Sequence, residues 1–332
     1  MDVKLTDTEE AFELPAWREL LSSDPHRHIF STPEWNRVWW EEFGAGKQLL
    51  VLTFLDPGPV GLAAFMLDRT EEGGRLRFCS DDENLTDYLG PLTASPQHLP
   101  GIAETLLRYL RDEADGWTSF EANCLPVPFG FAEHLVEAAD RLGFDFTVDE
   151  LEMTAVLALP SSFEGYMGRL SGKQRHELRR KLRRFDEAAP GAILRTSVPG
   201  TLEADLVSFV DLHRGSEGLK GKFMVPERAG FFARLARAFQ PLGLLSLDFL
   251  EVEDRPVASM FSCRFEQTFS VYNSAYDQAW RHLSPGLVLA TRLIERAIVL
   301  GLRRFDFLRG RERYKFDLGA EPLPLHAVHL RR

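Results

Sequence analysis

Residues 49–55 read LLVLTFL and residues 244–250 read LLSLDFL, identical at five of seven positions. Each run is followed by a turn rich in Pro, Gly and Asp, DPGP from Asp56 and EDRP from Glu253, and then by a second apolar run, VGLAAFML from Val60 and VASMFSCRF from Val257. Apolar runs bounded by turn residues read as β-hairpins, and Pro59-Val60 and Pro256-Val257 mark the same exit from the turn. The offset between the copies is 195 residues before the turn and 197 after it, so the sequence predicts a duplicated unit.

The surroundings of the two hairpins repeat the pattern. Thr32-Pro33-Glu34 reads as an N-cap followed by Pro at the first helical position, opening an aromatic-rich helix before hairpin one. Stretches 202–213 and 226–239 carry apolar residues at helical spacing before hairpin two. After the first hairpin the sequence predicts a strand over 76–79, an irregular acidic stretch from Ser80, a helix over 96–115, a strand over 119–123 and a helix over 131–142. After the second it predicts a strand over 268–276, a loop, a helix over 287–300 and a strand over 305–308. Two domains follow, 1–155 and 156–332.

Composition narrows the class. A chain of 332 residues with 44% hydrophobic and 27% charged residues is an ordinary globular protein, too apolar for a disordered one. Its formal charge of −11 excludes a general nucleic-acid coat protein, while leaving room for a local basic patch. Such a patch exists: between Arg169 and Arg184 stand eight Lys or Arg residues against the single acid Glu177. Lys173, Arg180 and Arg184 are spaced to share about one helical face, either a solvated linking helix or a clamp for a phosphorylated ligand. Cys79, Cys124 and Cys263 are too few and too scattered for a disulfide framework or a metal knuckle. A cytoplasmic location is expected, since the start lacks a basic, then apolar leader and no apolar run approaches the roughly 20 residues of a spanning helix.

The turn Ser284-Pro285-Gly286 before LVLATRLIERAI follows a hairpin and a third strand. The free N–H groups and dipole of the helix it opens would attract phosphate, and glycine permits close backbone approach. The run from Asp306 to Lys315, DFLRGRERYK, puts charged groups at a strand's carboxyl end, where open α/β sheets bind ligands. His213-Arg214, with Lys220 and Lys222 following, ends an amphipathic stretch. No GxSxG elbow, HExxH or Walker A sequence is present. Cys124 reads as a small buried residue. Of Trp39 and Trp40, neighbours on a helix, one is expected to line a cleft or contact a partner.

The ordered set FSTPEWNRVWWEEFG, LSGKQRHELRRKLRR, LHRGSEGLKGKF, YNSAYD, SPG and FDFLRGRERYKFDLG resembles double-GNAT acyltransferases of the CelD-like, cellulose-biosynthesis type, distant relatives of the FemAB aminoacyltransferases. The resemblance runs from about Phe30 to the C-terminus. It implies an α/β (α+β) fold of two tandem GNAT-like domains, each a mixed, mostly antiparallel sheet flanked by helices, with the first copy degenerate. The family's pyrophosphate turn is R/Q-x-x-G-x-G/A, whereas here Arg281-His282-Leu283-Ser284-Pro285-Gly286 places proline before the one glycine.

The resemblance implies an acyltransferase moving an acyl group from acetyl-CoA or another acyl-CoA directly to an amine or hydroxyl of a small or glycan-linked envelope or polysaccharide precursor. No metal is expected. Arg281, Ser284, Pro285, Gly286 and Leu287 would hold the donor, and Lys173, Arg180, Lys220, Tyr272, Arg309 and Lys315 the substrate. The acceptor's proton would pass to His213, Asp277 or Glu312, and a tyrosine such as Tyr272, Tyr276 or Tyr314 would protonate the leaving group. Two other readings stay open: a FemAB-like enzyme taking its aminoacyl group from tRNA, and a non-catalytic ligand-binding protein on the same scaffold.

Overall fold

The computed structural model describes residues 1–71, 73–81 and 85–332, apart from the side chains of Leu219 and Lys220. In chain order its first half contains β1 (Asp2–Thr6), α1 (Pro15–Ser23), α2 (Pro33–Phe43), β2 (Gln48–Leu55), β3 (Pro59–Thr70), β4 (Gly73–Phe78), β5 (Leu92–Thr93), α3 (Leu99–Asp112), β6 (Ser119–Pro126), α4 (Phe131–Leu142) and β7 (Asp145–Ala158). The second contains α5 (Phe163–Arg169), α6 (Gly172–Ala188), β8 (Ile193–Thr196), α7 (Leu202–Arg214), α8 (Leu219–Phe223), α9 (Pro226–Phe239), β9 (Leu245–Val252), β10 (Arg255–Phe265), β11 (Thr268–Tyr276), α10 (Pro285–Val299), β12 (Arg304–Arg309), α11 (Arg313–Asp317) and β13 (Glu321–Arg331).

The chain forms two compact units, residues 1–153 with 323–332, and residues 154–322. The first unit takes in the last ten residues, which a division into 1–155 and 156–332 places in the second, and its main boundary falls after residue 153. The cause is β13, which pairs antiparallel with β6 from Leu325↔Pro126 to Arg331↔Ser119. In the second unit the place beside β12 is taken by Thr154–Ala158 of β7. The first unit's sheet is therefore completed by a strand from the chain's last residues and the second unit's by one from the end of the first half, pairings that no local pattern encodes.

Within the first unit the strand order is β1-β2-β3-β4-β6-β13, with β5 on β3; within the second it is β7-β12-β11-β10-β9-β8. All these pairs are antiparallel except β4–β6 and β11–β12. Both hairpins form where the repeated runs stand, β2–β3 and β9–β10, and each parallel pair is joined through a crossover helix, α3 or α10. The architecture is a mixed α/β fold with mostly antiparallel sheets flanked by helices.

Helical periodicity sets the cores. In the second unit Ala290, Leu293, Ile294, Ala297 and Ile298 of α10 lie on Phe269, Val271 and Phe305 of the sheet. In the first, Ile102, Leu106 and Leu110 of α3 and Leu135 and Ala139 of α4 cover Phe65, Phe78 and Phe120. Thr32 caps α2 by accepting the Trp35 N–H at 3.2 Å. Trp39 and Trp40 are both buried, 2% and 9% exposed, so the expectation that one of them faces a cleft or partner is corrected: α2 is covered on more than one side. All three cysteines are free and buried.

One buried histidine makes the first unit acid-sensitive. The His28 ring is enclosed by Phe30, Tyr88 and Phe129 at centroid distances of 5.9, 5.5 and 6.3 Å. Burial, reinforced by the neighbouring His26, holds its pKa down to about 3. Below the unfolded value near 6.5 the unfolded chain binds a proton that the folded chain refuses, so stability drains away as pH falls from 6.5 toward 3. The carboxyl of Asp24 nearby is shifted upward by burial and offsets part of this. Urea unfolding at pH 7 and pH 5 is expected to show wild type losing about 2 kcal/mol more than His28→Gln over that interval. Equal losses would remove His28 as the cause.

Candidate functional site

The site begins where two parallel strands part. Pairing of β11 with β12 covers only Thr268–Ser270 against Arg304–Asp306. Beyond it both strands bulge. The β10–β11 register shifts between Phe261 and Ser262, leaving Tyr272 without an opposite residue. On β12 the shift lies between Asp306 and Arg309, where Leu308 takes the left-handed conformation (φ 57°) and donates its N–H to Asp306 Oδ1 at 2.8 Å. The carboxyl ends of β11 and β12 thus open a gap in the sheet.

Helix α10 starts beside this gap. Pro285 occupies its first turn and has no N–H, while the N–H groups of Leu287 and Val288 both donate to the Ser284 carbonyl at 3.1 Å. Ser284 is left-handed (φ 56°), and its side chain does not cap the helix. Among the described residues Gly286 is left as the one amide of these first four positions with no backbone acceptor. Next to Leu287 lies a cleft of about 580 Å³ walled by α6 (Lys173, Gln174, His176, Glu177, Leu178, Lys181) and α11 (Arg313, Asp317), with Leu318 just beyond. That volume suits a small-molecule or cofactor site. The α6 wall is fixed in place: Ser171 and Gln174 form a capping box, and Gln174 Nε2 donates to the Phe316 carbonyl at 2.9 Å.

The residues expected at the site divide into groups. Lys173 and Leu287 line the cleft, whereas Arg180 makes a bidentate pair with Glu177 at 2.7 and 2.9 Å on the exposed side of α6. Arg281 is exposed, 3.8 Å from the Glu217 carboxylate. Arg309, Glu312, Tyr314 and Lys315 gather at the end of β12. Lys315 is 3% exposed, and its ammonium donates to the carbonyls of Leu308, Arg309 and Gly310 at 3.3, 2.7 and 3.4 Å, with Glu312 Oε2 at 3.0 Å. A group so occupied shapes the strand end rather than reaching for substrate. Gly310 suits this place because its φ of 118° is a backbone conformation that L side chains rarely adopt. Tyr314 packs edge-on against Phe307 at 6.0 Å, and burial pushes its phenol pKa up.

Two candidate proton carriers have other engagements. Asp277 caps the turn Gln278–Leu283 by accepting the Ala279 N–H at 2.9 Å. His213 is 1% exposed, its Nε2 2.9 Å from Asn273 Oδ1, between the rings of Phe209 and Phe223. Tyr272 stacks on Phe232 at 5.2 Å. The Lys220 side chain lies outside the described residues. Sequence reasoning missed His176, Lys181, Arg313 and Asp317. The usable signal was the buried pair Leu178 and Phe185, which fixes the inner face of α6 and places Lys181, not Arg180, beside it.

The first unit repeats the arrangement and fills it. Pairing of β4 with β6 spans Arg75–Arg77 against Ser119–Glu121, and the left-handed residue on the bulging strand is Cys124 (φ 53°). Here the gap is crossed by the protein's own chain. Leu89 donates its N–H to the Cys124 carbonyl at 3.0 Å, and β5 pairs with Gly61 and Leu62 of β3. Helix α3 carries Pro100-Gly101 as α10 carries Pro285-Gly286, but the cavity beside it holds about 30 Å³.

Residues 172–316, most of the second unit, match the family model described as "Acetyltransferase (GNAT) domain", a match that supports an acyltransferase. No curated protein matches the chain. Among solved structures it is similar to FemX (TM-score 0.65, 10% identity, covering 98% of this chain and 97% of that one). It also resembles a conserved protein of unknown function from Bacteroides thetaiotaomicron VPI-5482 (0.63, 14%, 100% of each). A third likeness is to L-PGS from Bacillus licheniformis (0.56, 12%, 94% and 90%). At these identities the likeness is one of fold. Among the described residues no helix is long and apolar enough to cross a membrane, and no three His, Cys, Asp or Glu residues are grouped to hold a metal.

Proposed function

We propose that the second unit transfers an acyl group from an acyl-CoA thioester directly to an amine or hydroxyl, with the donor entering the gap between β11 and β12 and its phosphates lying at the start of α10. The observation that carries this reading is the coincidence of three features: an open gap at the strands' carboxyl ends, a helix start beside it, and a cleft of about 580 Å³ continuing from Leu287. The acceptor's nitrogen or oxygen attacks the thioester carbonyl carbon, the C–S bond breaks, the acceptor's proton leaves, and the thiolate gains one. Glu312, 57% exposed at the end of β12, accepts the first proton, and the phenol of Tyr314 supplies the second. The acceptor class, an envelope or polysaccharide precursor, rests on the CelD-like resemblance of the sequence.

Acetyl-CoA at 100 times its dissociation constant adds about 2.7 kcal/mol of stability, so a clear upward shift in the melting temperature is expected. No shift with acetyl-CoA, longer acyl-CoAs or free coenzyme A would remove the reading. The full-length likeness to FemX and the basic face of α6 favour one alternative, an aminoacyl donor carried on tRNA. Steeply salt-dependent binding of charged tRNA would support that alternative.

A further inference from the structure

We infer that Lys173 and Lys181 of α6 hold the donor's phosphates together with the single free amide at the start of α10, supplying the positive charge that the turn lacks, and that the site takes a donor bearing a nucleoside bisphosphate. The inference deepens the acyl-CoA reading and rests on it.

The helix start is poor in donors. Proline supplies none, the Ser284 carbonyl takes the amides of Leu287 and Val288, and Gly286 remains. One amide does not balance several phosphate charges, and the dipole contribution is fractional. The missing positive charge stands across the cleft. Lys173 and Lys181 are eight residues apart on α6, about 12 Å along the axis, and both line the cavity. Glu177 lies between them, but its carboxylate is taken by the bidentate pair with Arg180 and meets Lys181 only at 3.9 Å. The two ammonium groups are therefore available to a ligand spanning the cleft. The Gln174 bond to Phe316 fixes their helix before any ligand arrives, so little ordering remains to be done on binding.

The test is titration calorimetry of the full chain with adenosine 3′,5′-bisphosphate and, separately, acetyl-CoA, at several salt concentrations. The variant Lys173→Gln/Lys181→Gln removes one exposed and one half-buried charge and is checked for an unchanged melting temperature. It is expected to weaken both probes at least tenfold and to flatten the salt dependence, because two cationic contacts are gone. Arg183→Gln, on the same helix but 73% exposed and facing Glu187, is expected to change affinity less than twofold. If wild type and the double variant bind both probes equally, the inference is overturned and the acyl-CoA reading stands. If acetyl-CoA binds but the bisphosphate alone does not compete with it, the inference is likewise overturned. If wild type binds neither probe, or binds only RNA, both fall.

Discussion

Replacing Arg296 by methionine is expected to lower the unfolding free energy of the second unit by about 3–5 kcal/mol, the cost of leaving a buried carboxylate without its partner. Asp248 on β9 is fully buried, and Arg296 of α10 donates to both of its oxygens at 2.7 and 2.8 Å. The hydroxyls of Thr196 and Ser246 complete the network at 2.6 and 2.9 Å. Nothing else in the unit offers a positive charge to Asp248 at this range among the described residues. With a drop of that size the melting temperature is expected to fall by roughly 10 °C. The double variant Arg296→Met/Asp248→Leu removes the charge as well as its partner and is expected to recover most of the loss. If the single variant melts within a degree or two of wild type, the pair does not hold the unit together. The network has a functional side, since it ties the helix that borders the cleft to the sheet beneath it. A destabilised α10 should raise the Kd for donor before the chain unfolds.

That network marks the boundary of what could be read from the sequence. Hairpins, crossover helices and the start of α10 were legible because each is written locally: alternation, a turn, a proline at the first helical position. Arg296 and Asp248 are 48 residues apart and look like ordinary surface charges until β9 and α10 are stacked. Lys315 misled for the same reason. In RGRERYKFD its charge reads as part of a solvated, ligand-seeking run, yet the bulge at Leu308 turns three carbonyls toward it and buries it. Bulges, the return of β13 and the filling of the first gap by Leu89 depend on pairings between distant segments, for which sequence carries no period. On α6 the charge itself was evident, but which charges face inward depended on Leu178 and Phe185, and the spacing of basic residues alone selected Arg180 over Lys181.

Gly286→Val is expected to weaken acyl-CoA binding about 100-fold while costing under about 1 kcal/mol of stability. The backbone at Gly286 does not need glycine: its φ is ordinary, and a Cβ would meet only Tyr276 Cδ1 at 3.5 Å, normal contact. What the branched side chain takes away is the approach to the one amide at the helix start with no backbone acceptor. Gly286→Ala, smaller by two methyl groups, should fall between valine and wild type. The duplicated unit supplies the control. At Gly101, the counterpart on α3, the adjoining gap is already bridged by the protein's own Leu89 and β5, so Gly101→Ala should leave donor affinity unchanged and bind one donor per chain. Calorimetry reads affinity and stoichiometry in one titration. Wild-type affinity in the Gly286→Val chain would mean that the donor's phosphates do not rest at α10, and the cleft beside Leu287 would need another occupant.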